Sequence, residues 1–189
     1  MVVDEVPGFI ARLRQEQAIA ARALEFLILT AARSAEVTGM LWGEVDLRNR
    51  VWAIPGLQMK SGREHRVPLS DRATAILHGL EHLPDNPHVF PGIKPGRGLS
   101  SGTLIATLGR MQDGFRSSFR TWAAERTNYP REICEVAIAH AVGNKTEQAY
   151  QRGALLDKRR RLMEQWSAFC RSKPRSKSSN VLPLRRVAK

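Results

Sequence analysis

The sequence predicts an α+β fold that is predominantly α-helical, with a small antiparallel β-sheet of two or three strands packed against a helical bundle. Apolar residues recur with helical spacing over most of the chain, whereas one short region between residues 51 and 69 is β-branched and aromatic and contains a turn signal. The 189 residues are 42% hydrophobic and 25% charged. A chain of this size and composition can bury a core without disulfides or metals.

The first third of the chain predicts three helices, over residues 7–17, 18–32 and 34–41. Pro7 suits the first turn of a helix, and Asp4 and Glu5 precede it, near the positive end of the helix dipole. Large apolar side chains surround the 18–32 segment on nearly all sides. We therefore expect this helix to be central and buried.

Two strands are predicted next, over residues 51–54 and 63–69. The turn signal between them is Met-Lys-Ser-Gly at residues 59–62, where Gly62 permits a positive φ. Ser70 is a favourable N-cap for a helix that continues to about residue 82.

The second half of the chain begins with a loop rich in proline and glycine over residues 83–101, and loops of this length are usually either functional or disordered. Helical patterns follow, over residues 102–111, 115–127, 131–141, 145–152 and 155–170. From residue 171 onward the chain has seven basic residues and no acidic one. The sequence thus predicts a globular domain over residues 1–171 and a basic, flexible tail over 172–189.

Composition also limits the function. Thirty Lys and Arg residues against 18 Asp and Glu give a net charge of +12, which favours a polyanionic partner such as nucleic acid or an anionic membrane face. Two cysteines are too few for a disulfide framework, so we expect a reducing cytoplasm. The first residues do not read as a signal peptide, and no apolar run reaches the ~20 residues that span a bilayer.

Common enzyme motifs are absent from the sequence, including phosphate-binding loops, zinc-ligand spacings and clustered carboxylates. One GxSxG string, at residues 98–102, closes the Pro/Gly loop with no strand before it, so a nucleophile elbow is not expected there. If the protein is an enzyme, these patterns favour cationic side chains around a phosphate and an internal nucleophile.

Four segments carry polar residues in a recognisable order: residues 27–37 with Arg33, residues 59–69 with Lys60, residues 113–120 with Arg116, and residues 138–150 with His140 and Tyr150. Together they resemble the tyrosine recombinase, or phage integrase, family, in particular the integrases of temperate phages and genomic islands. Taken singly, their polar residues are more often surface or packing residues; a histidine on an apolar helix, for example, usually belongs to the core. Their order and spacing carry the resemblance from about residue 1 to 171.

The resemblance implies site-specific DNA recombination, either integration or excision, through a 3′-phosphotyrosine intermediate and without metal, ATP or other cofactor. Tyr150 would be the nucleophile that attacks the DNA phosphodiester. Arg33 and Arg116 would bind the non-bridging phosphate oxygens and stabilise the transition state. Lys60 would protonate the leaving 5′-oxygen, and His140 would hydrogen-bond a phosphate oxygen.

Two acidic residues leave alternatives open. Glu36 either orients Arg33 or is an acid on a helix surface. Asp113 stands where the family has histidine, or sometimes lysine. It could pair with Arg116, accept the tyrosine proton, or cap a helix that begins at Gly114. Since a unit charge ~4 Å from a phosphate costs about 4 kcal/mol at an effective dielectric of 20, we expect impaired or slow cleavage.

The resemblance further implies double-stranded DNA as partner, a tetramer on two duplexes, a host DNA-bending protein, and location on the nucleoid in the bacterial cytoplasm. From the resemblance we expect the N-terminal DNA-binding domains of the family to be absent from this chain, as in an excised catalytic domain or a remnant gene. We therefore expect weak and salt-sensitive DNA binding. The tail could pass to a neighbouring subunit. The alternatives are a catalytically impaired remnant and a non-catalytic basic DNA- or RNA-binding protein. Type IB topoisomerases share the chemistry, but Ala-His-Ala-Val-Gly at residues 139–143 favours the recombinases.

Overall fold

The computed structural model describes residues 2–108, 114–140 and 152–173. Several predicted features lie outside these ranges. They are Asp113, Tyr150, nearly all of the helix expected over residues 145–152, and the tail from residue 174 onward.

Eight α-helices and one small sheet make up the described part of the chain. The helices are α1 Val6–Leu13, α2 Ile19–Thr30, α3 Ser34–Thr38, α4 Asp71–His78, α5 Ser101–Leu108, α6 Phe115–Arg126, α7 Arg131–Ala137 and α8 Arg152–Cys170. The strands are β1 Val45–Asp46, β2 Val51–Ile54 and β3 His65–Pro68. Short 3₁₀ helices lie at Val3–Glu5, Trp42–Glu44 and Gly56–Gln58.

The sheet is antiparallel throughout, in the order β1-β2-β3. In the β2–β3 pair, Trp52 lies opposite Val67 and Ile54 lies opposite His65. Gly62 has a φ of 67° in the turn before β3, a conformation that glycine adopts readily because it has no Cβ. Both the mainly helical α+β class and the small antiparallel sheet are therefore confirmed.

Helix α2 lies at the centre of the molecule, as its all-round apolar sequence predicts. It packs against α1, α4, α5 and α8. Its Phe26 contacts Trp52 of the sheet and Phe90 of the Pro/Gly loop. Trp166 of α8 donates its indole N–H to the carbonyl of Ile28 over 2.8 Å. These contacts join the sheet, the loop and the last described helix to one core, so the Pro/Gly loop is anchored by buried residues.

Glu25 places a carboxylate inside this core, with 1% of its side chain exposed. Arg14 donates to it over 2.6 Å, and Arg72 forms two further bonds of 2.8 Å. Burial raises the pKa of Glu25, but the two guanidiniums lower it more, and the net shift is downward. The buried charge is thus compensated from α4 and from the chain just after α1.

Several predicted helices end earlier than expected, and two of the ends shape the site. Helix α2 stops at Thr30 because Ala31 adopts the left-handed conformation at φ 50°, and α7 stops at Ala137, with Ala139 at φ 55°. A left-handed alanine costs about 1–2 kcal/mol. The expected helix over residues 131–141 is therefore wrong at its end, and His140 follows the helix. Likewise α4 ends at His78, where Gly79 is the C-cap.

None of the helices within the described ranges is long and apolar enough to cross a membrane. Nor do three or more His, Cys, Asp or Glu side chains of the described residues gather where a metal ion would bind.

Candidate active site

Arg33 is positioned by the short helix that follows it. The residue is the N-cap of α3, and Glu36 is the third residue of that helix. The Glu36 carboxylate accepts the backbone N–H of Arg33 over 2.7 Å and the guanidinium Nη1–H over 2.6 Å. Glu36 is almost buried at 5% exposure, whereas 34% of the Arg33 side chain is exposed. The pair presents a partly exposed guanidinium on a fixed carboxylate.

Arg116, in the first turn of α6, connects two distant parts of the chain. Its Nη1 donates to the carbonyl of Ala31 over 2.8 Å, and its Nη2 donates to the carbonyl of Ile138. Ala31 follows the end of α2, and Ile138 follows the end of α7. One guanidinium therefore holds the segment that leads to Arg33 beside the segment that leads to His140.

Arg33 and Arg116 are close enough to affect each other electrostatically. Burial lowers the pKa of Arg116 to about 10; the positive charge of Arg33 contributes to the lowering, and Glu36 opposes it. Two cations thus lie near one carboxylate, which binds Arg33 directly and acts on Arg116 through its charge. Such an excess of positive charge, carrying forked N–H donors, suits a phosphate.

His140 lies just beyond α7, with 51% of its side chain exposed, so it is not a core histidine. Its Nδ1 is 2.7 Å from a carboxylate oxygen of Glu135. Lys60 is exposed in the turn between β2 and β3. Within the described ranges, the hydrogen bonds and ion pairs around the two arginines do not include Lys60. Asp113 and Tyr150 lie outside the described residues.

Sequence reasoning missed His65, which joins the β-hairpin to this cluster. The ring interacts with the backbone of Ala137 through a hydrogen bond and with the charges of Glu36, Arg116 and Arg159. The signal lay in the strand alternation: Val67 and the partly buried His65 share one face of β3, whereas Glu64 and Arg66 are exposed.

Arg159 of α8 was also missed, although a buried arginine is rare. It is 5% exposed and donates to the carbonyl of Arg66 over 2.7 Å and to that of Leu155 over 3.3 Å. Burial, with a smaller effect of Arg66, lowers the pKa of Arg159 to about 10. Helix α8 is thereby attached to β3, the strand that follows the Lys60 turn. Helical spacing alone did not distinguish Arg159 from its basic neighbours.

Residues 1–104, more than half of the chain, match the model of the Phage integrase family. The chain belongs to this family. The matched region contains Arg33, Glu36, Lys60 and His65, the part of the site contributed by α3 and the hairpin. No solved structure matches the chain significantly.

Three curated relatives extend the similarity beyond residue 104. Prophage integrase IntA of Escherichia coli K12 is 36% identical over 149 residues, which are 74% of this chain and 36% of the relative. Prophage integrase IntS of the same strain is 32% identical over 176 residues, 87% of this chain and 46% of the relative. The integrase of Shigella phage Sf6 is 31% identical over 184 residues, which are 91% of this chain and 48% of the relative. The chain thus spans less than half the length of each of these relatives.

The low pKa of His65 predicts a specific pH dependence of stability. Burial, followed by the charge of Arg159, lowers the pKa of His65 to about 4, from 6.5. His65 binds a proton more tightly in the unfolded chain than in the folded one. The free energy of unfolding is therefore highest above pH 6.5 and falls as the pH drops towards 4. We expect His65 to account for a loss of about 2 kcal/mol between pH 7 and pH 5.

Urea unfolding of the wild type and His65→Asn at both pH values measures this loss. Between pH 7 and pH 5, the free energy of unfolding of His65→Asn should fall by about 2 kcal/mol less than that of the wild type. His78→Asn, which changes an exposed histidine of α4, is the control and should behave like the wild type. An unchanged pH dependence in His65→Asn would contradict the assignment.

Proposed function

We propose that this protein is the catalytic part of a tyrosine recombinase, which cleaves and rejoins DNA at specific sites during integration or excision. The chain would attack a DNA phosphodiester with the Tyr150 oxygen, form a 3′-phosphotyrosine and release a 5′-hydroxyl. A second 5′-hydroxyl would reverse the step with a different strand. The names of the relatives, all integrases, support the same function.

The observation that carries this proposal is that Arg33, bound to the Glu36 carboxylate, lies close enough to Arg116 for the two positive charges to interact. Two of the five guanidinium N–H groups of Arg116 bind carbonyls, which leaves donors for an anion. The Arg33 guanidinium is held on Glu36 and is partly exposed. Together they offer fixed donors where negative charge develops on a pentavalent phosphate.

The roles of Lys60, His140 and Tyr150 are assigned from the order of these residues in the family. Lys60, exposed on its turn, would reach over the bound strand and protonate the leaving 5′-oxygen. His140 would donate to a phosphate oxygen from the end of α7. Tyr150 lies two residues before α8, whose Arg159 binds the hairpin strand; this attachment would keep the nucleophile and the lysine on one framework.

The partners we propose are those of a phage integrase. Double-stranded DNA is the substrate, a tetramer forms on two duplexes, and a host DNA-bending protein assists. Residues 1–171 would be the catalytic domain, with the basic residues 172–189 lying on DNA or on a neighbouring subunit. The net charge of +12 supports strong salt dependence of DNA binding. The reaction would take place on the nucleoid in the bacterial cytoplasm.

Covalent capture on DNA tests the proposed function. The full chain is incubated with a pool of nicked duplexes of randomised sequence, from which a cleaved end diffuses away and traps the intermediate. We expect a protein–DNA adduct that survives denaturant because the phosphotyrosine is covalent. The chain has two tyrosines, so Tyr150→Phe should abolish the adduct and Tyr129→Phe should retain it. DNA binding without any adduct in the wild type would favour the non-catalytic alternative.

Because Asp113 stands where the family has histidine, we predict that the wild type cleaves DNA slowly. Asp113→His should raise the rate of adduct formation by tenfold or more, because it removes a negative charge beside the phosphate and supplies an imidazole. Asp113→Asn, which removes only the charge, should give a smaller gain. An Asp113→His rate equal to that of the wild type would show that the aspartate does not impair cleavage.

A further inference from the structure

The end of α7 fixes the backbone of His140 by way of Glu135. The backbone N–H of His140 donates to the carbonyl of Glu135 over 3.0 Å, and that of Ala139 donates to the carbonyl of Val136 over 3.1 Å. With Ala139 in the left-handed conformation, these two bonds form the Schellman pattern of helix ends. His140 is therefore held one turn beyond Glu135.

The side chain of Glu135 binds the same histidine a second time. One carboxylate oxygen is 2.7 Å from His140 Nδ1, and the other is 2.8 Å from a guanidinium nitrogen of Arg120. Arg131 lies further away, at 3.8 Å. Glu135 is 16% exposed, whereas His140 is 51% exposed. The carboxylate is thus more buried than the ring, about half of which is exposed to solvent.

Arg120 fixes the carboxylate from a neighbouring helix. It lies four residues after Arg116 on α6, so both arginines are on the same side of that helix. Arg116 binds the carbonyl of Ile138, and Arg120 binds Glu135. Helix α6 therefore orients both the backbone before His140 and the acid that binds it.

The protonation state of Glu135 determines which ring nitrogen holds the proton. Burial raises the pKa of Glu135, but the hydrogen bond with His140 and the charge of Arg120 lower it more, so the net shift is downward. An ionised carboxylate only accepts hydrogen bonds. At 2.7 Å, Nδ1 must then be the donor, and Nε2 on the opposite side of the ring is left for another partner.

We propose that Glu135 is a positioning residue for His140, which keeps the proton on Nδ1 and directs Nε2 at the DNA phosphate. This inference rests on the proposed function. When a second proton is present, Nε2–H donates to a phosphate oxygen and the carboxylate balances the charge of the imidazolium. An isolated imidazole would instead rotate freely beyond the helix end and divide its proton between two nitrogens.

Nitrogen NMR of the imidazole tests the positioning without any need for activity. The full chain is labelled with ¹⁵N-histidine, and His140→Asn identifies the resonances. Spectra taken up to pH 8.5, where an ordinary imidazole is neutral, should show the Nδ1–H tautomer in the wild type. Glu135→Gln should shift the population towards Nε2–H. Glu132→Gln, on the first turn of the same helix, is the control and should leave the tautomer unchanged.

Covalent capture then tests the effect on the reaction. Glu135→Gln should slow adduct formation about 10- to 100-fold, the range for carboxylates that orient a metal-binding histidine. In a His140→Asn background the same change should have no further effect, since Glu135 acts through His140. Circular dichroism of each variant verifies that the chain is folded.

The outcomes separate this inference from the proposed function. A wild type with the Nε2–H tautomer, or a tautomer that Glu135→Gln does not alter, overturns the positioning role. So does a Glu135→Gln variant that forms the adduct at the wild-type rate. If the wild type forms no adduct at all, the proposed function and the catalytic part of this inference fall together, while the NMR result still decides whether Glu135 orients the ring.

Discussion

The site depends on one partly buried guanidinium, that of Arg116, which binds the ends of two helices. Arg116 donates to the carbonyl groups of Ala31 and Ile138, which lie more than 100 residues apart in the chain. Carbonyl groups at helix ends have no partner within the helix, so a cation that satisfies two of them stabilises both ends at once. Because Arg33 and His140 each follow one of these carbonyls by two residues, the same contact places the first arginine and the histidine of the site near each other.

The hairpin and the last described helix converge on the same place. His65 of β3 contacts the backbone of Ala137 and lies near Glu36 and Arg116, while Arg159 of α8 binds the carbonyl next to His65. A neutral imidazole suits a site already occupied by several arginines, since a further cation there would be repelled. The strand that follows the Lys60 turn and the helix that follows Tyr150 are thus attached to the arginine cluster by backbone-directed hydrogen bonds.

The fold could be predicted from local pattern, whereas the site could be predicted only in part. The buried helix α2, the β-hairpin and the Ser70 cap follow from periodicity and turn chemistry, which are local in sequence. The early ends of α2 and α7 could not be predicted, because Ala31 and Ala139 are poor left-handed residues that tertiary contacts hold in place. Arg159 was missed for a related reason: its partners are carbonyls, and any residue supplies one.

The central claim is that the Arg116 guanidinium couples the end of α2 to the end of α7. Hydrogen exchange of backbone amides in Arg116→Lys tests it most directly, since a lysine ammonium cannot span both carbonyls. Arg126→Lys, at the exposed end of the same helix, is the control. We expect the amides of both residues 31–37 and residues 137–140 to exchange about tenfold faster or more in Arg116→Lys, and neither segment to change in Arg126→Lys. A tenfold change in exchange corresponds to about 1.4 kcal/mol in the free energy of local opening. Unchanged exchange in either segment would contradict the coupling.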